Sequence, residues 1–595
     1  MLLDAVFEKA RKEEIMRTRF MNLFGIVVLA GIASVAAAQT VVTSSPSVHE
    51  IAATREARTQ DDVIDRIIAR ERDEIKVINS YDPIIETYVQ VYSQKRNGDR
   101  LLSRDYYYLG QAELSDRKQF GYRSMLARKD QYPKRGFVDA SFNPLGFVQM
   151  VYIDQRGFDR EHYRFRYVGQ EFLGNVRCVV FDVQPLQKAL PGRFSGRIWA
   201  EDKNDTIVRF NGIYLPVSHR GHFNSHFDSW RLNVQPGLWL PAYGFAEETD
   251  LRTTKLQIKY VNDLDHLRFK AQTRFWGYDL KEPRRQQEFS DLIVEAPTRV
   301  NDSLTVREGD QSPVQAQRQW QSQAENNVLA ALERTGLLAP AGEVDKTLDT
   351  VVNNLEITNN LDIEPAVRCR VLTTATFDLF AVGHVIVISR GLIDVLPDEA
   401  TLATMLAQAL GQIIVSKSHP DQYAFYDIVQ LPSLDALRRF SFKLNDRERE
   451  ASSEKAVDLL RNSPYKDNLA SAGLFLKEFE QDSRNLRALV APHLGNGVIV
   501  ASQLTSAAPA LQPENLNQIA ALPLGARIKL DPWTDEAALI KARPTPLVSA
   551  REKMPLELTP FMPYLTRYAK QTPSEESSKV IFNENGSQSP PGPNK

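Results

Sequence analysis

The sequence predicts an α+β, multidomain protein: an N-terminal curved antiparallel β domain with helices, followed by a second α+β domain. Three observations carry this expectation. Residues 104–282 hold short β-rich runs separated by turn signals. Apolar residues at helical spacing flank that region at 60–95 and 318–338. From residue 343 to about 500, strand-like and helix-like runs follow one another in a mixed order.

The 595 residues are enough for several separate cores, and 43% hydrophobic with 25% charged residues is an ordinary globular composition. The 73 basic and 75 acidic residues leave a net charge of −2. A near-balanced chain without a basic run does not have the electrostatic footprint of a nucleic-acid binder.

Arg17 and Arg19 precede an apolar run, Leu23 to Ala38, that ends in the small residues Ala36 and Ala38. Basic, apolar and small residues in that order predict a signal peptide over 1–38, with an upstream extension before Met16 and cleavage after Ala38. The run falls short of the roughly 20 residues that a spanning helix needs; an uncleaved anchor is the alternative. A periplasmic or secreted location is expected. The two cysteines, Cys178 and Cys369, lie in strand-like runs of different predicted domains and are expected to be buried and unpaired.

Residues 39–103 read as a helical segment. Val63, Ile64, Ile67 and Ile68 are followed by Ile75, Val77 and Ile78, with a break at Asp82-Pro83. In the β-rich region, "YYYLG", "FVQMVYID", "VRCVVFDVQPL", "WRLNVQPGLWLPAYGFAEE" and "TKLQIKYV" are the expected strands. "GRIWAEDKNDTIVRF" is the clearest hairpin, turning at its polar centre. These hairpins resemble the LolA-type lipoprotein-carrier fold, an open sheet wrapped around helices. The resemblance implies a lipid or lipoprotein carrier or sensor.

Residues 283–342 read as a polar linker and a helix that stops at Gly336. Residues 501–570 are mixed, with "ARIKLDPW" as a strand, and 571–595 have the composition of a disordered tail.

The second α+β domain, 343–500, holds the principal candidate site. Strand "VRCRVLTT" leads to "FDLFAVG", strand "HVIVIS", a short helical "RGLIDVL", and a helix opening at Pro397-Asp398-Glu399. Leu402, Met405, Leu406, Ala409, Leu410 and Ile413 mark its buried face. This order resembles the HtpX-like zinc metallopeptidases, the group that includes the CAAX prenyl proteases. It is carried by Asp378-Leu-Phe-Ala381, Gly383-His-Val-Ile-Val-Ile-Ser-Arg-Gly-Leu392 and Leu396-Pro-Asp-Glu-Ala-Thr-Leu402.

The resemblance implies a zincin-like fold and places Gln408-Ala-Leu-Gly-Gln412 on the family's H-E-x-x-H. Two histidines one helical turn apart hold zinc there, and the Glu acts as base. Gln408 and Gln412 lack imidazole nitrogens, and Ala409 stands at the base position. The third family ligand falls on Glu448, or on Arg449 when counted back from "EKAVDLL". No catalytic residue and no cofactor are therefore expected. Zinc enters only in the alternative, an active metalloendopeptidase with atypical ligands.

The strand His384, Val385, Ile386, Val387 and Ile388 is the candidate peptide groove, since strand addition needs no metal. His219, His222 and His226 have ligand-like spacing but no companion cluster, and His419 stands alone. The leading expectation is an exported pseudopeptidase that binds a protein or peptide of the cell envelope. The alternatives are proteolysis, and lipid or lipoprotein binding through the β domain.

Overall fold

The computed structural model describes residues 59–94, 100–114, 121–126, 147–154, 157–186, 192–215, 225–247, 267–278, 313–415, 442–483, 486–510, 512, 515–522, 528–531, 536–539, 558, 560 and 562–568. The expected leader, most of the polar linker, the run 254–261, the tail 571–595, and His219, His222 and His419 lie outside them.

Helix α1 (Gln60–Ile78) opens on a capping box in which Thr59 and Asp62 satisfy each other's backbone N–H groups. After Pro83 the chain turns into strand β1 (Ile84–Gln94), where helix had been expected. The reason is tertiary. The Tyr- and Val-rich run 88–92 pairs with β2 (Arg100–Glu113) on one side and β10 (Leu267–Trp276) on the other.

The remaining strands are β3 (Gly121–Ser124), β4 (Tyr163–Leu173), β5 (Val176–Pro185), β6 (Phe194–Glu201), β7 (Ile207–Tyr214), β8 (His226–Gln235) and β9 (Leu238–Glu247). They form one antiparallel sheet in the order β3-β2-β1-β10-β9-β8-β7-β6-β5-β4. The predicted hairpin is β6–β7, with Ile198 opposite Phe210. "FVQMVYID", read as a strand, instead contains a short helical turn at Gln149–Val151.

Strand pleating sorts the side chains onto two faces. One carries Val89, Tyr106, Phe181, Ile198, Phe210, Phe227 and Phe269, and packs against Ile64, Ile67 and Ile68 of α1. Arg231 fixes the helix there: its Nη1 and Nη2 donate to Glu71 at 2.6 and 2.7 Å, with both side chains fully buried. The other face carries Glu86, Tyr88, Tyr107, Trp199, Arg209, Trp230 and Arg274, as the register requires.

The C-terminal part is mainly helical. It contains α2 (Pro313–Arg334), α3 (Glu343–Thr358), β11 (Arg368–Leu372), β12 (Leu379–Val382), β13 (Val385–Ser389), α4 (Arg390–Val395) and α5 (Glu399–Val415). Then come α6 (Asp446–Arg461), α7 (Leu469–Ser483), α8 (Arg487–Val490), α9 (Ser502–Ala507), α10 (Leu516–Ala520) and the hairpin β14 (Ile528–Asp531)–β15 (Glu536–Leu539). Gly336 adopts φ +70 just past α2, the left-handed stop that the sequence indicated.

One hydrophobic core runs from Ile84, Tyr88, Tyr107 and Leu109 of the sheet into Phe380, Leu406 and Leu476 of the C-terminal part. Sheet carboxylates hold the junction. Glu86 accepts the Tyr107 hydroxyl at 2.7 Å and the Ala375 N–H at 2.6 Å. Asp105 accepts the N–H groups of Ala488 and Leu489 at 3.0 Å. Burial pushes the Asp105 carboxyl up, and those two N–H groups oppose the shift. Among the described residues no helix is long and apolar enough to cross a membrane.

Candidate functional site

Helix α5 begins as its sequence requires, with Asp398 accepting the Thr401 N–H at 2.7 Å. Its middle is core. Ala409 is buried among apolar neighbours, and Gly411 lies so close to α6 that a Cβ would meet the Ser452 carbonyl oxygen at 2.5 Å. Gln408 is only 2% exposed, and both ends of its amide are committed to Ile499. Its Nε2 donates to the Ile499 carbonyl and its Oε1 accepts the Ile499 N–H at 3.1 Å.

Gln412 is buried one turn later. Glu448 sits in the capping box at the start of α6, its carboxylate accepting the Asn445 N–H at 3.1 Å. These positions do not fit the zinc that the peptidase resemblance implies. They supply a backbone-bound amide, a methyl group, a second amide and a capping carboxylate, and none of these is an imidazole ligand or a base beside one. Among the described residues no group of three or more His, Cys, Asp or Glu side chains could hold a metal ion.

The candidate groove is corrected by the topology. Strand β13 is the middle of a three-stranded sheet ordered β11-β13-β12, parallel to β11 and antiparallel to β12. Val385, Ile386, Val387 and Ile388 are all buried. Both edges are taken, which leaves no backbone for an added strand. His384 sits in the turn after Gly383, its Nδ1 3.0 Å from Glu325 Oε1. Asp378, read within the family-like Asp378–Ala381 element, is buried and accepts the N–H groups of His493, Leu494 and Gly495 at 3.0 to 3.3 Å. It organises a loop.

An open site lies instead on the ten-stranded sheet, on the face away from α1. A pocket of about 250 Å³ is lined by Asp182, Gln184, Ser195, Arg197, Asn211 and His226, with Trp199 as an apolar wall. Arg197 Nε donates to Asp182 at 2.8 Å, and Arg166 donates to the same carboxylate. The two guanidinium groups hold the Asp182 carboxyl below its usual range, although its partial burial works against them as the largest single influence.

Trp199 also belongs to an adjoining apolar strip with Val176, Cys178, Val180, Trp230, Tyr243 and Phe245. Arg209 runs through it, between Trp199 and Trp230 at 4.2 and 4.5 Å from the rings, and pairs with buried Asp228. Leu565 and Met562 of the C-terminal segment pack on this strip. Arg567 ties the segment down through Glu201 and Asp202. Burial pushes the Cys178 thiol up to about 12. Cys178 and Cys369 are both free and buried, as expected.

Among the described residues, the site candidate from the sequence that lines this pocket is His226. Its other members come from three strands, β5, β6 and β7, and the local signal was the pairing of charged residues with β positions in "FDVQ" and "SGRIW". No spacing rule links those runs before the strand register is known.

No protein-family model matches the chain, and no curated protein matches it, so neither comparison supports the metallopeptidase resemblance. Among solved structures it is weakly similar to a LolA superfamily protein from Nitrosomonas europaea, at 8% identity and TM-score 0.18, over 35% of this chain and 92% of that one. A DUF1329 family protein from Desulfovibrio piger gives 12% identity and TM-score 0.17 over 35% and 92%. The MucA/MucB complex of Pseudomonas aeruginosa gives 9% identity and TM-score 0.11 over 36% and 94%. At TM-scores this low the likenesses carry no weight for function.

Proposed function

We propose that this protein is a non-catalytic carrier or sensor that takes an amphipathic ligand, of the lipid or lipoprotein class, through its β-sheet. One observation carries the reading: the polar pocket at Arg197 shares the buried wall residue Trp199 with an adjoining apolar strip, on which Leu565 and Met562 of the C-terminal segment pack. An ionic headgroup suits the paired charges of the pocket, whose volume is below that of most whole-ligand sites. An acyl chain suits the strip, where each buried methylene contributes about 0.8 kcal/mol. Leu565 and Met562 then occupy the acyl position until ligand displaces them. An envelope location, through the leader read at 1–38, agrees with such a ligand.

The test is titration of the full chain with a dansyl-labelled fatty acid, together with organic extraction of the purified protein. Saturable binding is expected, with Arg197→Glu weakening it about tenfold, or about 1.4 kcal/mol. Leu565→Asp, which loosens the cover, is expected to strengthen it. An absence of binding in both the native chain and Leu565→Asp, with no lipid in the extract, overturns the reading.

A further inference from the structure

Strand β4 ends the ten-stranded sheet, and among the described residues no strand pairs with its outer edge. Eleven residues long, it exposes Tyr167 (45%), Val168 (40%) and Phe172 (70%), with Leu186 (47%) nearby. A long edge that exposes apolar side chains is a template for another strand; this one also carries charged residues and a register shift, so a strand that pairs with it must match both.

The residue pattern identifies the strand that fits. A bulge at Val168 shifts the register between Tyr167 and Gly169. As a result Arg166, opposite Asp182, and Glu171, opposite Cys178, lie on the same face of the sheet although they are five positions apart in the chain. Phe165, opposite Val183, and Phe172, opposite Arg177, share the other face. The strand is thus self-complementary about its own centre. Laid antiparallel on a copy of itself, it sets Arg166 against Glu171 of the partner subunit and Phe165 against Phe172 of the partner subunit, each twice. Tyr167 meets Gln170 of the partner subunit. Without the bulge, both pairs would fall on opposite faces. A Cβ placed on Gly169 meets nothing within 4 Å, so the centre of the edge is open to approach.

We propose that β4 pairs with β4 of a second copy of this chain, giving a two-fold dimer in which the two sheets run together. The interface is isologous: each copy offers the same edge, one cation and one anion placed for exchange, and one exposed phenylalanine to bury. Glu171 suits this role, because Trp199 Nε1 donates to one carboxylate oxygen at 2.7 Å and holds the group in place.

Sedimentation of the full chain at micromolar concentrations tests the proposal. A dimer is expected. Phe172→Lys, at an exposed position, is expected to weaken it on the order of tenfold or more. Arg166→Glu alone and Glu171→Arg alone are each expected to weaken it, and the two together to restore it. Val168→Cys should form an interchain disulfide on mild oxidation, since the native cysteines are buried. A monomeric native chain overturns the proposal, even if β4 then captures an extended peptide. A dimer indifferent to Phe172→Lys and to the charge exchange also overturns it.

Discussion

The Gln408 side chain and the backbone of Ile499 form a closed pair of hydrogen bonds, amide against peptide, inside the C-terminal core. This relationship gives the helix position a structural purpose. The amide that stands where a metal-binding imidazole was the family expectation fastens the 498–500 segment to α5. Glutamine can do this because it offers a donor and an acceptor side by side, matching a peptide group; a neutral imidazole has one of each on opposite sides of its ring.

Gln408→Ala is therefore expected to destabilise the chain by about 1–3 kcal/mol, the cost of leaving the buried Ile499 N–H and carbonyl unpaired. Denaturant unfolding followed by circular dichroism measures it. A neutral outcome shows that the pair has no structural weight.

The combined change Gln408→His, Ala409→Glu and Gln412→His is expected to unfold the region without creating a zinc site. Ala409 is 2% exposed, and a carboxylate placed there lacks both water and a partner. Isothermal titration with zinc chloride, read beside a melting curve, distinguishes the outcomes. Tight stoichiometric zinc binding by a folded variant would contradict this account.

Asp228→Asn leaves Arg209 without its counter-charge between Trp199 and Trp230. Breaking a buried pair from one side costs about 3–5 kcal/mol. A corresponding fall in unfolding free energy is expected, with a shift in tryptophan emission because both rings contact the guanidinium.

Glu74 has its carboxyl pushed up by burial, with Arg231 and Arg70 opposing the shift. The folded chain thus holds this proton to higher pH than the unfolded chain does. The sign follows from linkage: Glu74 favours folding most below the ordinary carboxylate value of 4.5, and that contribution declines as pH rises through 4.5 toward the raised folded value. Glu74→Gln is expected to flatten stability in that window and to leave neutral-pH stability unchanged or slightly higher. Thermal melts across the acid range check it; an unchanged slope counts against the assignment.

Cys178 and Cys369 are both driven upward by burial, so neither thiolate forms near neutral pH. Ellman's reagent is expected to titrate no thiol in the native chain and two in denaturant. Rapid native labelling of either would show that its strand opens.

Much of the local order was legible in the residues. The α1 stretch, the β6–β7 hairpin, the Gly336 stop and the Asp398 start of α5 each depend on neighbours within a few positions, which a linear reading sees. The apolar spacing of residues 84–94 suits either a helix or a strand. What decided for strand was the presence of β2 and β10, one near in sequence and the other far away.

By itself, the sequence determined the α+β class, the positions of most elements and the chemical poverty of residues 408–412. Only tertiary structure decided that β13 is central and closed, that the pocket gathers side chains from four strands, and that among the described residues no strand pairs with the outer edge of β4. The physical reason is that strand order and register are set by contacts between distant segments. A strand's own residues specify which side chains share a face, but its neighbours determine whether its edge is filled.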